Sequence, residues 1–193
     1  KGINSRPVAE FIISQILYFS KRFEDCKNFK QNRNWNQWKL AKKTTQLSGS
    51  TLGIIGYGEV GKELSKLAKS FGMSVLATRR LQKKIESKKN VDFLVPVSDM
   101  NMVIKQSDYL AIACPLTPIT ESMINKRFFR LMKNSAVIIN TSRGKIINEN
   151  DLISALENKE IAGAALDVFA SEPLDKKSKL FNFDNILLSP HIS

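Results

Sequence analysis

The run Thr51-Leu-Gly-Ile-Ile-Gly-Tyr-Gly-Glu-Val-Gly61 decides how this chain is read. Its glycines Gly56, Gly58 and Gly61 stand in the G-x-G-x-x-G spacing. That spacing alone is weak evidence; the context strengthens it, because an apolar strand precedes the glycines and an amphipathic helix follows. Gly56 permits a tight turn out of the strand. Gly58 lets the backbone approach a diphosphate, and Gly61 lets the helix sit close to the sheet. The free N–H groups and positive dipole end of that helix attract an anion. The helix runs through Leu64, Leu67 and Ala68 and ends at Gly72, a residue suited to a C-cap. The expectation is a dinucleotide cradle.

Working outward, short apolar runs alternate with helical stretches. The runs are 52–55, 75–77, 93–95, 109–113, 136–139, 164–168 and 186–188. Several lack polar alternation, as strands covered on both faces do. Helices fit between them: one over 99–106 capped by Ser98, one from Asn125 to near Lys133, and one capped by Asn148 through Leu152 and Leu156. Repeated strand–helix–strand units predict an α/β fold, a Rossmann-type doubly wound parallel sheet. Upstream, Val8, Phe11, Ile12, Ile16, Leu17 and Phe23 recur near helical spacing, predicting one helix from Pro7 to about Lys27. Its wide apolar face requires burial. The polar segment 28–50, with Trp35 and Trp38, reads as a surface loop.

An NAD-binding fold usually ends its second strand in Asp or Glu, which accepts from the ribose 2′-hydroxyl. Here that strand ends Ala77-Thr78-Arg79-Arg80. Guanidinium groups pair with a 2′-phosphate, often through two hydrogen bonds, and the Thr78 hydroxyl can add another. NADP is therefore the expected cofactor in preference to NAD.

The chain has 193 residues, 42% apolar and 25% charged, which suits a globular protein and excludes a largely disordered or collagen-like one. Thirty basic against eighteen acidic residues give a net charge of +12. The basic residues are spread out with few aromatics among them, so they read as a solvated surface rather than a nucleic-acid site. Two cysteines, Cys26 and Cys114, exclude a disulfide framework and favour a reducing, cytoplasmic compartment. One histidine, His191, leaves no multi-histidine metal site. No apolar run approaches the roughly 20 residues of a membrane span. The chain lacks an initiator Met and stops two residues past its only His, which reads as a domain cut from a longer protein.

Taken together, these residues resemble the cofactor-binding domain of the D-isomer-specific 2-hydroxyacid dehydrogenases. The resemblance begins at Pro7-Val-Ala-Glu10 and runs through the glycine loop and Ser70-Phe-Gly-Met73. It continues in Cys114-Pro-Leu-Thr-Pro-Ile-Thr120, Ile139-Asn-Thr-Ser-Arg-Gly144 and Ala165-Leu-Asp-Val-Phe169, and closes with Glu172-Pro-Leu174 and Ser189-Pro-His-Ile192. It implies that residues 1–193 form one NAD(P)-binding domain and that 1–30 hold the interdomain and dimerisation helix. The family's flavodoxin-like substrate domain, built from both chain ends, is absent. It also implies that Arg143 binds the substrate, that Glu172 partners the acid/base His191, and that the protein is a homodimer. Imidazole exchanges protons near neutral pH, and a guanidinium both grips a carboxylate and polarises a carbonyl. Further cofactor contacts carry over to Glu59, Val60, Cys114, Pro115, Thr120, Thr141, Ser142 and Asp167, the last toward the nicotinamide carboxamide.

The expected activity is hydride transfer between a nicotinamide cofactor and a small 2-oxo or 2-hydroxy acid, of glyoxylate/hydroxypyruvate type and D-specific. The competing expectation is a dinucleotide-sensing binding protein like the C-terminal binding protein corepressors, which resemble this family. Two departures stand out. Glu59 occupies a position where many members have Arg, and Arg79 stands where they have an acid.

Overall fold

The computed structural model describes residues 4–193; the first three residues of the expected interdomain helix region lie outside them. An eight-stranded sheet runs β3-β4-β2-β1-β5-β6-β7-β8. Its strands are β1 (Thr51–Ile55), β2 (Ser74–Arg79), β3 (Glu86–Lys88), β4 (Val91–Pro96), β5 (Tyr109–Ile112), β6 (Val137–Asn140), β7 (Gly163–Leu166) and β8 (Ile186–Leu188). All neighbours are parallel except β3 and β4. Every residue of β5, β6 and β7 is buried, as their unbroken apolar runs require when both faces are covered.

One face is covered by α1 (Ser5–Ser20) and α4 (Glu59–Ser70), whose Ile12, Ile16, Leu64 and Ala68 meet Leu52, Ile54 and Val75. The other face carries α5 (Met100–Gln106), α6 (Lys126–Phe129) and α7 (Glu149–Glu157), with Val103, Ile104, Phe129 and Leu152 packed on Leu110 and Ile138. The Asn148 cap forms, its side chain accepting from Asp151 N–H at 3.1 Å. Asn125 likewise accepts from Arg127 N–H, but the helix it opens ends at Phe129.

Four expectations are corrected. The first helix stops at Ser20, and α2 (Phe23–Asn32) starts after Arg22, which adopts φ 57°. The break is held by contacts that no local pattern encodes: Lys21 Nζ donates to Thr45 O at 2.8 Å, and Tyr18 O–H donates to Glu24 at 2.6 Å. The segment 28–50 is not all loop, since α2 continues into it and α3 (Gln37–Ala41) follows. Ser98 caps nothing: it lies within a 3₁₀ turn, and α5 begins at Met100. The expected strands omit β3, which is turned back onto β4 through Asn90 at φ 67°.

The carboxyl ends of the central strands line up. Ile55 lies beside Ile112, Ile112 beside Asn140, Asn140 beside Leu166, and Leu166 beside Leu188. The chain order reverses between β1 and β5, the switch point where open α/β sheets bind ligands.

Candidate active site

The glycine loop leaves β1 at this edge. Gly56 has φ +104°, and a Cβ there would fall 2.7 Å from Cys114 N. A Cβ on Gly61 would fall 2.8 Å from Gly56 O, so the start of α4 presses on the turn. Gly58 differs: its φ of −96° is ordinary and nothing lies within 4 Å of its Cβ position. The protein's own packing gives no reason for glycine there, whereas a diphosphate laid on the N-terminus of α4 does. The loop therefore fits a dinucleotide.

The expected ribose-side residues divide. Thr78 is buried, and its Oγ1 accepts from Gly56 N–H at 3.1 Å, so it braces the loop instead of presenting its acceptor outward. Arg79 and Arg80 are exposed, and neither guanidinium has a hydrogen bond or ion pair among the described residues. Glu59 turns to Lys62 at 2.7 Å, an exposed pair that holds its carboxyl below the usual range. Val60, partly buried, packs against the core on the α1/α4 face.

Beyond β5, burial pushes the Cys114 thiol up to about 11; it is a neutral wall residue at physiological pH. Thr120 closes the following turn, its Oγ1 donating to Pro115 O at 2.8 Å and accepting from Thr117 N–H at 2.8 Å. Beyond β6, Ser142 Oγ donates to Ile112 O at 2.9 Å, and Thr141 is half-buried next to it. Sequence reasoning missed Asn140. It is fully buried, accepts from Ser142 N–H at 3.1 Å and donates to Arg143 O at 3.0 Å. A lone amide ending an apolar strand was the available signal. The Arg143 side chain is exposed and donates to Ser142 O at 2.6 Å.

Glu172 and His191 come together as expected: Nδ1 lies 2.8 Å from Oε2. The other oxygen, Oε1, accepts from Phe169 N–H at 3.0 Å. That backbone bond is the largest influence holding the Glu172 carboxyl below its usual range, followed by His191 and, more weakly, the Arg143 charge. An ionised carboxylate only accepts, so Nδ1 is the donor. Nε2 is then the nitrogen left to exchange a proton. An apolar hollow of about 670 Å³ adjoins the pair, lined by Phe169, Leu174, Phe181 and Leu188 among others.

Asp167 does not face this cleft. It is fully buried, and its carboxylate accepts from Ser189 Oγ at 2.6 Å, Ile192 N–H at 3.1 Å and Ser193 N–H at 2.9 Å.

Residues 13–193 match the description "D-isomer specific 2-hydroxyacid dehydrogenase, NAD binding domain". The chain belongs to the D-isomer specific 2-hydroxyacid dehydrogenase family. It is 37% identical over 186 residues to human glyoxylate reductase/hydroxypyruvate reductase, covering 95% of this chain and 56% of that protein. It is 35% identical over 201 residues to D-3-phosphoglycerate dehydrogenase 1 of Saccharomyces cerevisiae, covering 98% and 41%. Among solved structures, a probable 2-hydroxyacid dehydrogenase from Rhizobium etli in complex with NADP superposes with a TM-score of 0.85 at 25% identity, covering 95% of this chain and 57% of that one. The chain thus spans about half the length of the relatives it matches. Within that NAD binding domain the glycine loop, Arg143, Glu172 and His191 stand at the same sheet edge.

Proposed function

We propose that the whole protein reduces a small 2-oxo acid of glyoxylate or hydroxypyruvate type to the D-2-hydroxy acid, with NADPH preferred over NADH. The observation that carries this reading is the 2.8 Å His191–Glu172 pair at the sheet edge that also holds Gly58 and Arg143. A bound nicotinamide cofactor supplies the hydride that adds to the carbonyl carbon. Arg143 holds the substrate carboxylate and draws electron density toward the carbonyl oxygen. His191 Nε2 gives that oxygen its proton, while Glu172 fixes the ring through Nδ1. In the oxidative direction the same nitrogen takes the proton back.

The cofactor preference rests on Arg79 and Arg80, two unpaired guanidiniums where a carboxylate would repel a 2′-phosphate. The similarity to a protein solved with NADP agrees with it. Both cysteines are free thiols, which supports a reducing, cytoplasmic setting. The homodimer is supported by a different surface from the one first expected. The apolar face of α1 is covered by α4 and the sheet, whereas α2 and α3 bury no residue, and Trp35 between them and Trp38 in α3 are exposed.

The test is steady-state kinetics on the full-length protein, with NADPH and NADH against glyoxylate, hydroxypyruvate, pyruvate and phosphohydroxypyruvate. Turnover of glyoxylate or hydroxypyruvate is expected, with kcat falling about 10²–10⁴-fold in His191→Gln and the NADPH preference lost in Arg79→Asp. Tight dinucleotide binding with no turnover of any 2-oxo acid would favour the corepressor-like alternative instead.

A further inference from the structure

Strand β6 reads Val137-Ile-Ile-Asn140, and its last residue is an amide in an otherwise apolar, wholly buried run. A carboxamide placed there loses its water, which costs free energy unless both of its polar groups find partners. Asn140 finds both in the turn that follows it. Its Oδ1 accepts from Ser142 N–H at 3.1 Å, and its Nδ2 donates to Arg143 O at 3.0 Å. These two contacts lie on either side of the peptide joining Ser142 to Arg143. That peptide's carbonyl, Ser142 O, is the one that takes the Arg143 guanidinium, from Nη1 at 2.6 Å. One side chain therefore holds, before and after, the backbone that seats the arginine. Other ties support the same turn: Ser142 Oγ donates to Ile112 O at 2.9 Å, and Arg143 O also accepts from Ile146 N–H at 3.2 Å. Asn140 is itself fixed, standing in register between Ile112 of β5 and Leu166 of β7.

We propose that Asn140 is a positioning residue for Arg143: its buried amide sets the turn from which the guanidinium reaches the 2-oxo acid. The inference rests on the reading of Arg143 as the anchor of the substrate carboxylate. It goes beyond that reading, because it places part of the affinity for substrate in a side chain sealed inside the sheet edge. The residue type follows from the chemistry. The turn offers one donor and one acceptor, and the asparagine carboxamide supplies the complementary pair. Aspartate keeps the size but has no donor for Arg143 O when ionised, and alanine has neither group. The Arg143 side chain is exposed and long, so its own packing does little to fix it, and a turn that loosens releases it to many rotamers.

The test uses the full-length protein with Asn140→Ala, Asn140→Asp, Arg143→Ala and the double variant of Asn140→Ala with Arg143→Ala. The first readout is kinetic. In Asn140→Ala, kcat/KM for the preferred 2-oxo acid should fall at least about tenfold, the scale of a displaced anchoring group, with the KM for nucleotide within about twofold of wild type. In the Arg143→Ala background the same change should cost less than about twofold, because its effect runs through an arginine already gone. A side chain that only stabilises the fold would cost the same in both backgrounds. The second readout needs no turnover. The Arg143 Nε–H group gives its own line in heteronuclear NMR, assigned by its absence in Arg143→Ala. Its relaxation should be that of an ordered group in wild type and of a mobile one in Asn140→Ala. If Asn140→Ala does not fold, Asn140→Asp, alone and with Arg143→Ala, carries both comparisons. Equal losses in the two backgrounds would overturn the positioning role. So would a nucleotide KM raised as much as that for substrate, or kcat/KM and the Nε–H line both unchanged. Absence of any 2-oxo acid turnover in wild type, with the Nε–H group loosened in Asn140→Ala, would sink the proposed activity and leave the positioning role standing.

Discussion

Two glycines at the site show how one residue type answers two physical demands. At Gly144 a Cβ would collide with the backbone carbonyl of Phe169 and come within 2.5 Å of Ala170 N. Backbone cannot step aside as a flexible side chain can, so the turn after Arg143 and the turn before Glu172 can touch only through glycine. At Gly58 the Cβ position is open, so an added methyl meets nothing of the protein and would stand where the diphosphate approaches. Gly144→Ala should therefore lower unfolding free energy by about 1–3 kcal/mol, visible as a lower urea midpoint, and should lower kcat as the Arg143 and Glu172 turns part. Gly58→Ala should leave the urea midpoint unchanged and weaken dinucleotide binding by calorimetry. Equal losses of stability in both variants would contradict this division. The glycine turn and the meeting of Glu172 with His191 were legible from sequence because motif and residue chemistry coincide in short segments. The pairing of Ser189 with Asp167 was not, because the bonds to Asp167 reach 22 to 26 residues along the chain.

At the scale of elements, legibility followed burial. Strands β5, β6 and β7 read clearly because both their faces are apolar. Strand β3 was hidden because Glu86, Ser87 and Lys88 carry no apolar signal and pair only with a strand already in place. The α1/α2 break was hidden because its ties reach Thr45 and Glu24 rather than a local glycine or proline. A further tie of this kind joins α4, β2 and β4. Asp92 accepts from Lys69 Nζ at 2.6 Å and from Val75 N–H at 2.7 Å. Burial pushes its carboxyl up, but these two bonds outweigh it and hold it below the ordinary value. A carboxyl depressed in the folded state stabilises above its unfolded value, about pH 4, and that contribution is lost as pH falls through the folded value. Wild-type Tm should therefore drop more steeply below about pH 4 than that of Asp92→Asn, which should already be less stable at pH 7. Parallel acid limbs in thermal melts would show that Asp92 is not a source of the acid sensitivity.

For the whole molecule, the distribution of aromatic surface matters more than net charge. The two core layers absorb the sheet and the apolar face of α1, but the α2–α3 arm contributes no buried residue to either. Phe23 is 51% exposed, and Trp35 and Trp38 are each 75% exposed. Phe29 and Trp35 meet edge to face at 5.7 Å, so part of this surface is preassembled. Scattered exposed apolar residues are ordinary, whereas aromatic rings gathered on an arm that buries nothing suit a surface that a partner covers. A second copy related by a two-fold axis would bring the same patch from each subunit into one interface. Trp35→Glu combined with Trp38→Glu would put two carboxylates per subunit there without touching either core layer. In sedimentation velocity at micromolar concentration, the full-length double variant should run as a monomer while wild type runs as a dimer. Its Tm at high dilution, where both are monomeric, should match wild type. A double variant that still sediments as a dimer would place the two-fold interface elsewhere on the chain and leave the arm to be covered by another part of the same subunit.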